Sequence, residues 1–255
     1  MDKQYYKDYY HFEREHWWYK ARKNILQYLI EKKIYKSQPL KILNVGTATG
    51  ATSLMLQNFG EVTSVEYDDD CVAFVNSLTN LNVQKGDITQ LQFNNESFDL
   101  VCAFDVVEHV KEDKKAVDEL MRVCKTNGHV FITTPAFMFL WSEHDVVNHH
   151  IKRYTKKELG SLFESHNSTF IIQSYFNSIL FLPIAAVRVL LWPFQKLRNK
   201  NKPVESDFSR FNTGFVSKLL FSIFNSEKHV LNNFSLPFGV SIAIMVNKTA
   251  NQSQN

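Results

Sequence analysis

Paired cysteines are missing from this chain. Its three, Cys71, Cys102 and Cys124, are widely separated and match no disulfide or zinc-ligand spacing, which excludes a stapled secreted scaffold. Reduced core thiols in a cytoplasmic protein are expected instead. Charge of one sign is also scarce: the net charge is +3 over 255 residues, and no basic stripe is interleaved with aromatics. Nucleic acid is therefore not an expected partner. The N-terminus carries charged and aromatic residues in place of the apolar core of a secretory leader, and no internal repeat is present. What remains is ordinary for a folded chain, with 44% hydrophobic and 22% charged residues, enough for one large domain with an insertion. Only the Asn/Gln/Ser-rich tail at 249–255 reads as disordered.

The most informative stretch runs from Lys41 to Glu66. Ile42, Leu43 and Val45 form an apolar run that reads as a buried parallel strand, and Gly46 then allows a sharp turn where a side chain would meet a ligand. Gly50 does the same four residues later. Between them Thr47, Ala48 and Thr49 are small enough to leave the first N–H groups of the next helix open to a polar or anionic ligand. That helix is expected over 51–58, packed through Leu54, Leu56 and Phe59 and ended by Gly60. A second strand over 62–65 delivers Glu66, with Tyr67 beside it, to the carboxyl edge of the sheet. A carboxylate at that place accepts both hydroxyls of a ribose. The unit predicts an α/β, doubly wound sheet that binds an adenosine nucleoside.

Further landmarks follow in order. Gly86-Asp87-Ile88 succeeds a short strand, and Ser97 to Val101 opens another that ends at Phe104-Asp105, with Glu108-His109 close behind. Val117, Leu120, Met121 and Cys124 mark one stripe of a helix closed by Asn127-Gly128. Strands are expected at 130–133, 170–175 and 240–246. In this arrangement the chain resembles the class I S-adenosylmethionine-dependent methyltransferases, over roughly 41–135 and the last strand. The resemblance implies a Rossmann-like seven-stranded sheet, mostly parallel with an antiparallel last strand, plus a helical cap insertion. It also implies S-adenosyl-L-methionine as cofactor. Where the family's turn reads acidic-x-Gly-x-Gly-x-Gly, this chain has Asn44-Val45-Gly46-Thr47-Ala48-Thr49-Gly50. Asn44 keeps the hydrogen bonding of the replaced carboxylate without its charge, which bears on affinity and not on cofactor identity. By the same resemblance Asp87 meets the adenine amine, Ile88 packs on the ring, and Phe104, Asp105 and His109 shape the pocket near the sulfonium. A dinucleotide dehydrogenase shares the turn and the ribose carboxylate but not the antiparallel terminal strand.

Three variable regions are expected to complete the site. The N-terminal segment is crowded with aromatics, and Trp17 and Trp18, being adjacent, cannot both face the core of one helix. In related enzymes a leading helix folds over the cofactor. Trp17 or Trp18, the latter taken as the site residue, is expected to line the site and Arg22 to meet the methionine carboxylate, with simple packing as the alternative. For a hydroxyl acceptor the chemistry also needs a base. The loop after the fifth strand carries Trp141, Glu143, His144, Asp145, Asn148, His149 and His150 at the active edge. His144 or His149 is expected as that base, against a loop-bracing role. Thr155 and Glu158 form a capping box for a helix through Leu159, Leu162 and Phe163. In the quinone-biosynthesis O-methyltransferases, which this part of the chain resembles, a carboxylate ahead of a Glu-His pair can hold a divalent metal. Asp105, Glu108 and His109 stand there; pocket shaping is the expected role, and no metal is assigned.

The interval before the last strand is the third region. Phe176 to Phe194 has one charge, Arg188, and is followed by Lys196, Arg198, Lys200 and Lys202. Its length and apolarity approach a membrane span, yet strands six and seven must join one sheet, which opposes a single crossing. A buried cap, a homodimer surface and an interfacial anchor are the readings, the last giving peripheral membrane contact through 176–202. Pro183 suits the first turn of this helix and Pro193 its stop, and a second apolar helix near 215–224 is expected to pair with it. The units expected are a lid at 1–38, a core at 39–175, a cap at 176–233 and the last strand within 234–248. The expected activity is O-methylation of a small or lipid-linked hydrophobic acceptor. Carbon methylation of a quinone-like acceptor and cofactor binding without turnover are the alternatives.

Overall fold

The computed structural model describes residues 3–195 and 214–250. The basic run at 196–202 and the end of the tail, 251–255, lie outside the described residues. Seven strands form a single sheet: β1 Leu40–Val45, β2 Gly60–Glu66, β3 Val83–Lys85, β4 Phe98–Phe104, β5 Cys124–Pro135, β6 Ser168–Phe176 and β7 Ser241–Lys248. Their spatial order is β3-β2-β1-β4-β5-β7-β6. β7 runs antiparallel to both β5 and β6, while the pairs from β3 to β5 are parallel. This is the Rossmann-like, seven-stranded arrangement with an antiparallel last strand.

Period-two alternation divides the sheet between two helical layers. Leu43, Val45, Val101, Ala103, Val130 and Ile132 point to one face, where Val117, Leu120 and Met121 cover them. These three belong to the helix Asp113–Val123. Ile42, Leu100, Cys102, Phe104 and Phe131 point to the other, under Leu26, Leu29 and Ile30. The helices in chain order are α1 Lys3–Glu15, α2 Trp17–Lys33, α3 Ala51–Leu56, α4 Asp69–Leu78, α5 Asp113–Val123, α6 Glu143–Val147, α7 Lys156–Ser161, α8 Phe181–Gln195 and α9 Gly214–Leu231. Among the described residues no helix is long and apolar enough to cross a membrane.

Three departures from the sequence reading have local causes. Cys124 is not the last position of a helical stripe: α5 stops at Val123, and Cys124 opens β5 opposite Phe98. Leu100 then pairs with His129, so 125–128 bulge from the ladder, and Asn127 takes a left-handed conformation (φ 65°) that suits its short polar side chain. The second apolar helix, α9, packs along α2: Trp18 stacks on Phe224, and Phe224 and Leu231 are buried in the same cluster as Leu26 and Leu29. The apolar stripe of α2 is wider than the sheet alone can cover, so α9 completes its burial. Finally, the N-terminal segment is two helices and not one, broken at His16, whose ring nitrogen accepts the Trp18 N–H at 3.2 Å as an N-cap.

Candidate active site

The carboxyl ends of β1, β2 and β4 open into a cavity of about 610 Å³. Its first wall is the turn after β1. Gly46 has φ +72°, and a Cβ there would overlap the Val106 side chain, so only glycine fits. The N–H groups of Gly46 and Thr47 both donate to the Val65 carbonyl, at 2.8 and 3.1 Å, which folds the turn back onto β2. Glu66 locks it: Oε2 accepts from Ala48 N at 2.9 Å, while Oε1 accepts from Tyr67 N at 2.8 Å and Asp68 N at 3.2 Å. An ionised carboxylate has about four lone-pair sites, so acceptor capacity is left over for ligand hydroxyls.

Gly46, Glu66, Tyr67, Asp87, Ile88, Phe104, Asp105, His109 and Arg22 all line this cavity. Asn44, Thr47 and Gly50 do not; they sit beneath the turn and hold it. The Asn44 amide donates to Ser53 Oγ at 2.8 Å and to Thr52 Oγ1 at 3.1 Å, tying β1 to α3. Thr47 is fully buried and donates its hydroxyl to the Val65 carbonyl at 3.2 Å. Trp18 also lies behind the cavity, against Phe224 and 5.6 Å from the Arg22 guanidinium. That position is packing, the alternative weighed for it in the sequence.

Arg22 reaches the cavity floor already partnered. Its Nη2 meets Asp105 Oδ2 at 2.8 Å and donates to Thr133 Oγ1 at 3.0 Å, and the Thr133 hydroxyl donates to Asp105 Oδ1 at 2.9 Å. Asp105 holds this geometry with a positive φ of 57° directly after β4. Much of the Arg22 charge is therefore met inside the protein, and its Nε is buried with no partner.

One wall of the cavity is built by α1 residues that the sequence reading did not assign to the site. Tyr6, Tyr9 and Glu13 of α1 line the cavity, at i, i+3 and i+7, a helical stripe that the neighbouring tryptophans obscured. Tyr6 donates to Asp68 Oδ1 at 2.7 Å, and Glu13 accepts from the Thr49 hydroxyl. Burial raises the Glu13 pKa, against the pull of Thr49 and Arg14. Its stabilising contribution is therefore full below the unfolded value of about 4.3 and is lost as pH rises through the folded value. Glu13→Gln removes this titration. The melting temperature of the variant should gain on the wild type as pH is raised from about 4 through the folded value; a constant difference would show that Glu13 does not titrate with unfolding.

The histidine-rich loop separates into distinct environments. His149, left-handed at φ 57°, and Asn148 line the cavity beside His109. His144 does not line it; burial, then Arg188, push its pKa down to about 3, leaving a neutral packing imidazole. His150 turns inward, its Nδ1 2.8 Å from Asp145 Oδ1. Asp145 also receives Arg153 Nε at 2.8 Å and Nη2 at 2.9 Å. Burial alone would raise the Asp145 carboxyl, yet His150 and Arg153 hold it well below the usual range. Glu108 is fully buried and raised well above the ordinary carboxylate value, by burial and then by Asp105.

Comparison with known proteins bears on this site. A family model described as a methyltransferase domain matches residues 43–132, the stretch from β1 through β5. An uncharacterized methyltransferase of Staphylococcus carnosus is 30% identical over 127 residues, covering 49% of this chain and 59% of that protein. The mitochondrial ubiquinone biosynthesis O-methyltransferase of Dictyostelium discoideum is 34% identical over 87 residues, covering 29% of this chain and 27% of that protein. The chain thus spans less than two thirds of either relative. Among solved structures, the YcgJ protein of Bacillus subtilis superposes with a TM-score of 0.57 at 16% identity, over 89% of this chain and 98% of that one, which shows a shared fold.

Proposed function

Because this chain carries the methyltransferase domain of the class I S-adenosylmethionine-dependent family, we propose that it O-methylates a small or lipid-linked hydrophobic acceptor. One observation carries the reading: a single cavity is lined both by the nucleoside-binding set, Glu66 with Asp87 and Ile88, and by the imidazoles His109 and His149. S-adenosyl-L-methionine supplies a methyl group activated on a sulfonium. The protein's part is to orient and to move one proton. Glu66 and the Ala48 turn hold the ribose, Ile88 and Phe104 give apolar walls, and His149, one of two exposed imidazoles lining the cavity, takes the proton of the acceptor hydroxyl. The name of the Dictyostelium relative, a ubiquinone biosynthesis O-methyltransferase, supports a hydroxyl acceptor.

The surface beyond β5 supports an apolar one. Phe139 stacks on Phe137 with centroids 5.2 Å apart, Phe137 meets Phe181 at 5.8 Å, and Phe181 meets Phe238 at 5.3 Å. Leu182 and Val187 of α8 are 70% and 55% exposed, extending this rim outward. Peripheral contact with a membrane through 176–202, or a homodimer through the same rim, belongs to this proposal. The test uses methyl-labelled donor and a long-chain alkylcatechol carried in phosphatidylcholine vesicles, with and without phosphatidylglycerol. Label on the catechol oxygen and flotation of the protein with the vesicles are expected. Label on carbon, or none while the cofactor binds, overturns O-methylation; absence of flotation removes the membrane contact.

A further inference from the structure

Among the described residues, Glu108 is the carboxylate with both oxygens buried and unpartnered. It is fully buried, and neither carboxylate oxygen has a hydrogen-bond partner. Buried carboxylates normally have donors, a counter-ion or a metal, because leaving one without any costs several kcal/mol. What stands around it is two imidazoles: one ligand atom from each of Glu108, His109 and His150 lies within 4.8 Å of the other two.

We infer that Glu108, His109 and His150 form a binding site for a divalent transition-metal ion. The backbone assembles it. Glu108 and His109 sit on the single 3-10 turn Val107–His109 after β4, and Ile151 N donates to the Glu108 carbonyl at 2.8 Å, pinning the histidine loop against that turn. His150 is oriented as a ligand should be. Its Nδ1 lies 2.8 Å from Asp145 Oδ1, which leaves Nε2 on the ring edge turned away from that carboxylate. Asp145 is fixed in turn by both Arg153 contacts and by Ser142 N at 2.8 Å. A carboxylate behind a ligating histidine sets the tautomer and raises basicity, and such partners are worth about 10- to 100-fold in metal affinity.

The set differs from the one implied by resemblance to the quinone-biosynthesis enzymes. Asp105 is occupied by Arg22 and Thr133, and a histidine 42 residues beyond Glu108 takes its place. Two nitrogens and one oxygen suit zinc or ferrous iron far better than magnesium or calcium, which prefer all-oxygen surroundings.

The test reads metal directly and needs no acceptor. Full-length protein, stripped with chelator and dialysed, is titrated calorimetrically with Zn²⁺, Mn²⁺ and Mg²⁺, and bound metal is counted by mass spectrometry. One Zn²⁺ per chain and much weaker Mg²⁺ binding are expected. Glu108→Gln and His150→Ala should each abolish stoichiometric binding, Asp145→Asn should weaken it about 10- to 100-fold, and Asp105→Asn should leave it unchanged. Melting curves and S-adenosylhomocysteine affinity establish that each variant is folded. Should Glu108→Gln fail to fold, the visible absorption of Co²⁺ in the wild type reports whether nitrogen ligands are bound. No stoichiometric ion in the wild type, wild-type affinity in Glu108→Gln, or loss only in Asp105→Asn overturns the site. A failed acceptor assay leaves it untouched, so this site and the methyl-transfer reading stand or fall separately.

Discussion

Glu66→Gln should lower affinity for S-adenosylhomocysteine by about 100-fold or more. Two hydrogen bonds from ribose hydroxyls to an ionised carboxylate are worth about 1.5–3 kcal/mol each, and every 1.4 kcal/mol is tenfold. The amide also harms the empty site. It must place an NH₂ where a carboxylate oxygen now accepts from Ala48 N or from Tyr67 N and Asp68 N, setting donor against donor. Binding therefore loses both the ligand contacts and part of the turn's rigidity. Glu61→Gln, at an exposed position on the same strand, is the matched control and should bind normally. Calorimetric titration of both variants decides it; normal affinity in Glu66→Gln would detach the nucleoside from this carboxylate.

Arg153→Met should cost about 3–5 kcal/mol of stability, the usual penalty for removing one partner of a buried ion pair. The side chains of Arg153 and Asp145 are 2% and 0% exposed, so water cannot compensate the carboxylate left behind. At about 2–4 °C per kcal/mol for a chain of this size, the melting temperature should fall by roughly 6–20 °C. Adding Asp145→Leu to the same chain removes the stranded charge and should recover part of the loss, since apolar replacement of a whole buried pair is often near neutral. A single variant that melts like the wild type, or a double variant no better than the single, would show that the pair does not brace the histidine loop.

How far the sequence could be read follows the range of the interactions. From β1 to Glu66 everything is local: an apolar run, a glycine that must adopt positive φ, and a carboxylate one strand later, so strand, turn and residue could all be placed. The seven-stranded order and the antiparallel β7 were both carried by family resemblance. Local pattern failed where a distant partner decides. Cys124 fits a helical stripe, but its pairing with Phe98 makes it strand. The apolar face of α9 carries no mark that its partner is α2, almost two hundred residues away. The three histidines from 144 to 150 look alike in sequence; the positive φ of His149 and the inward bond of His150 to Asp145 separate them, and both depend on contacts that no spacing rule contains.

The seam between α2 and α9 carries a practical consequence for anyone wishing to alter acceptor preference by exchanging parts with a relative. Trp18 against Phe224, and Tyr28 against His229 at 5.2 Å, mean that segments 17–33 and 214–231 shield one another from water. Transplanting either alone would confront an apolar face with a stranger's side chains. They must travel as a pair, though almost two hundred residues of chain lie between them.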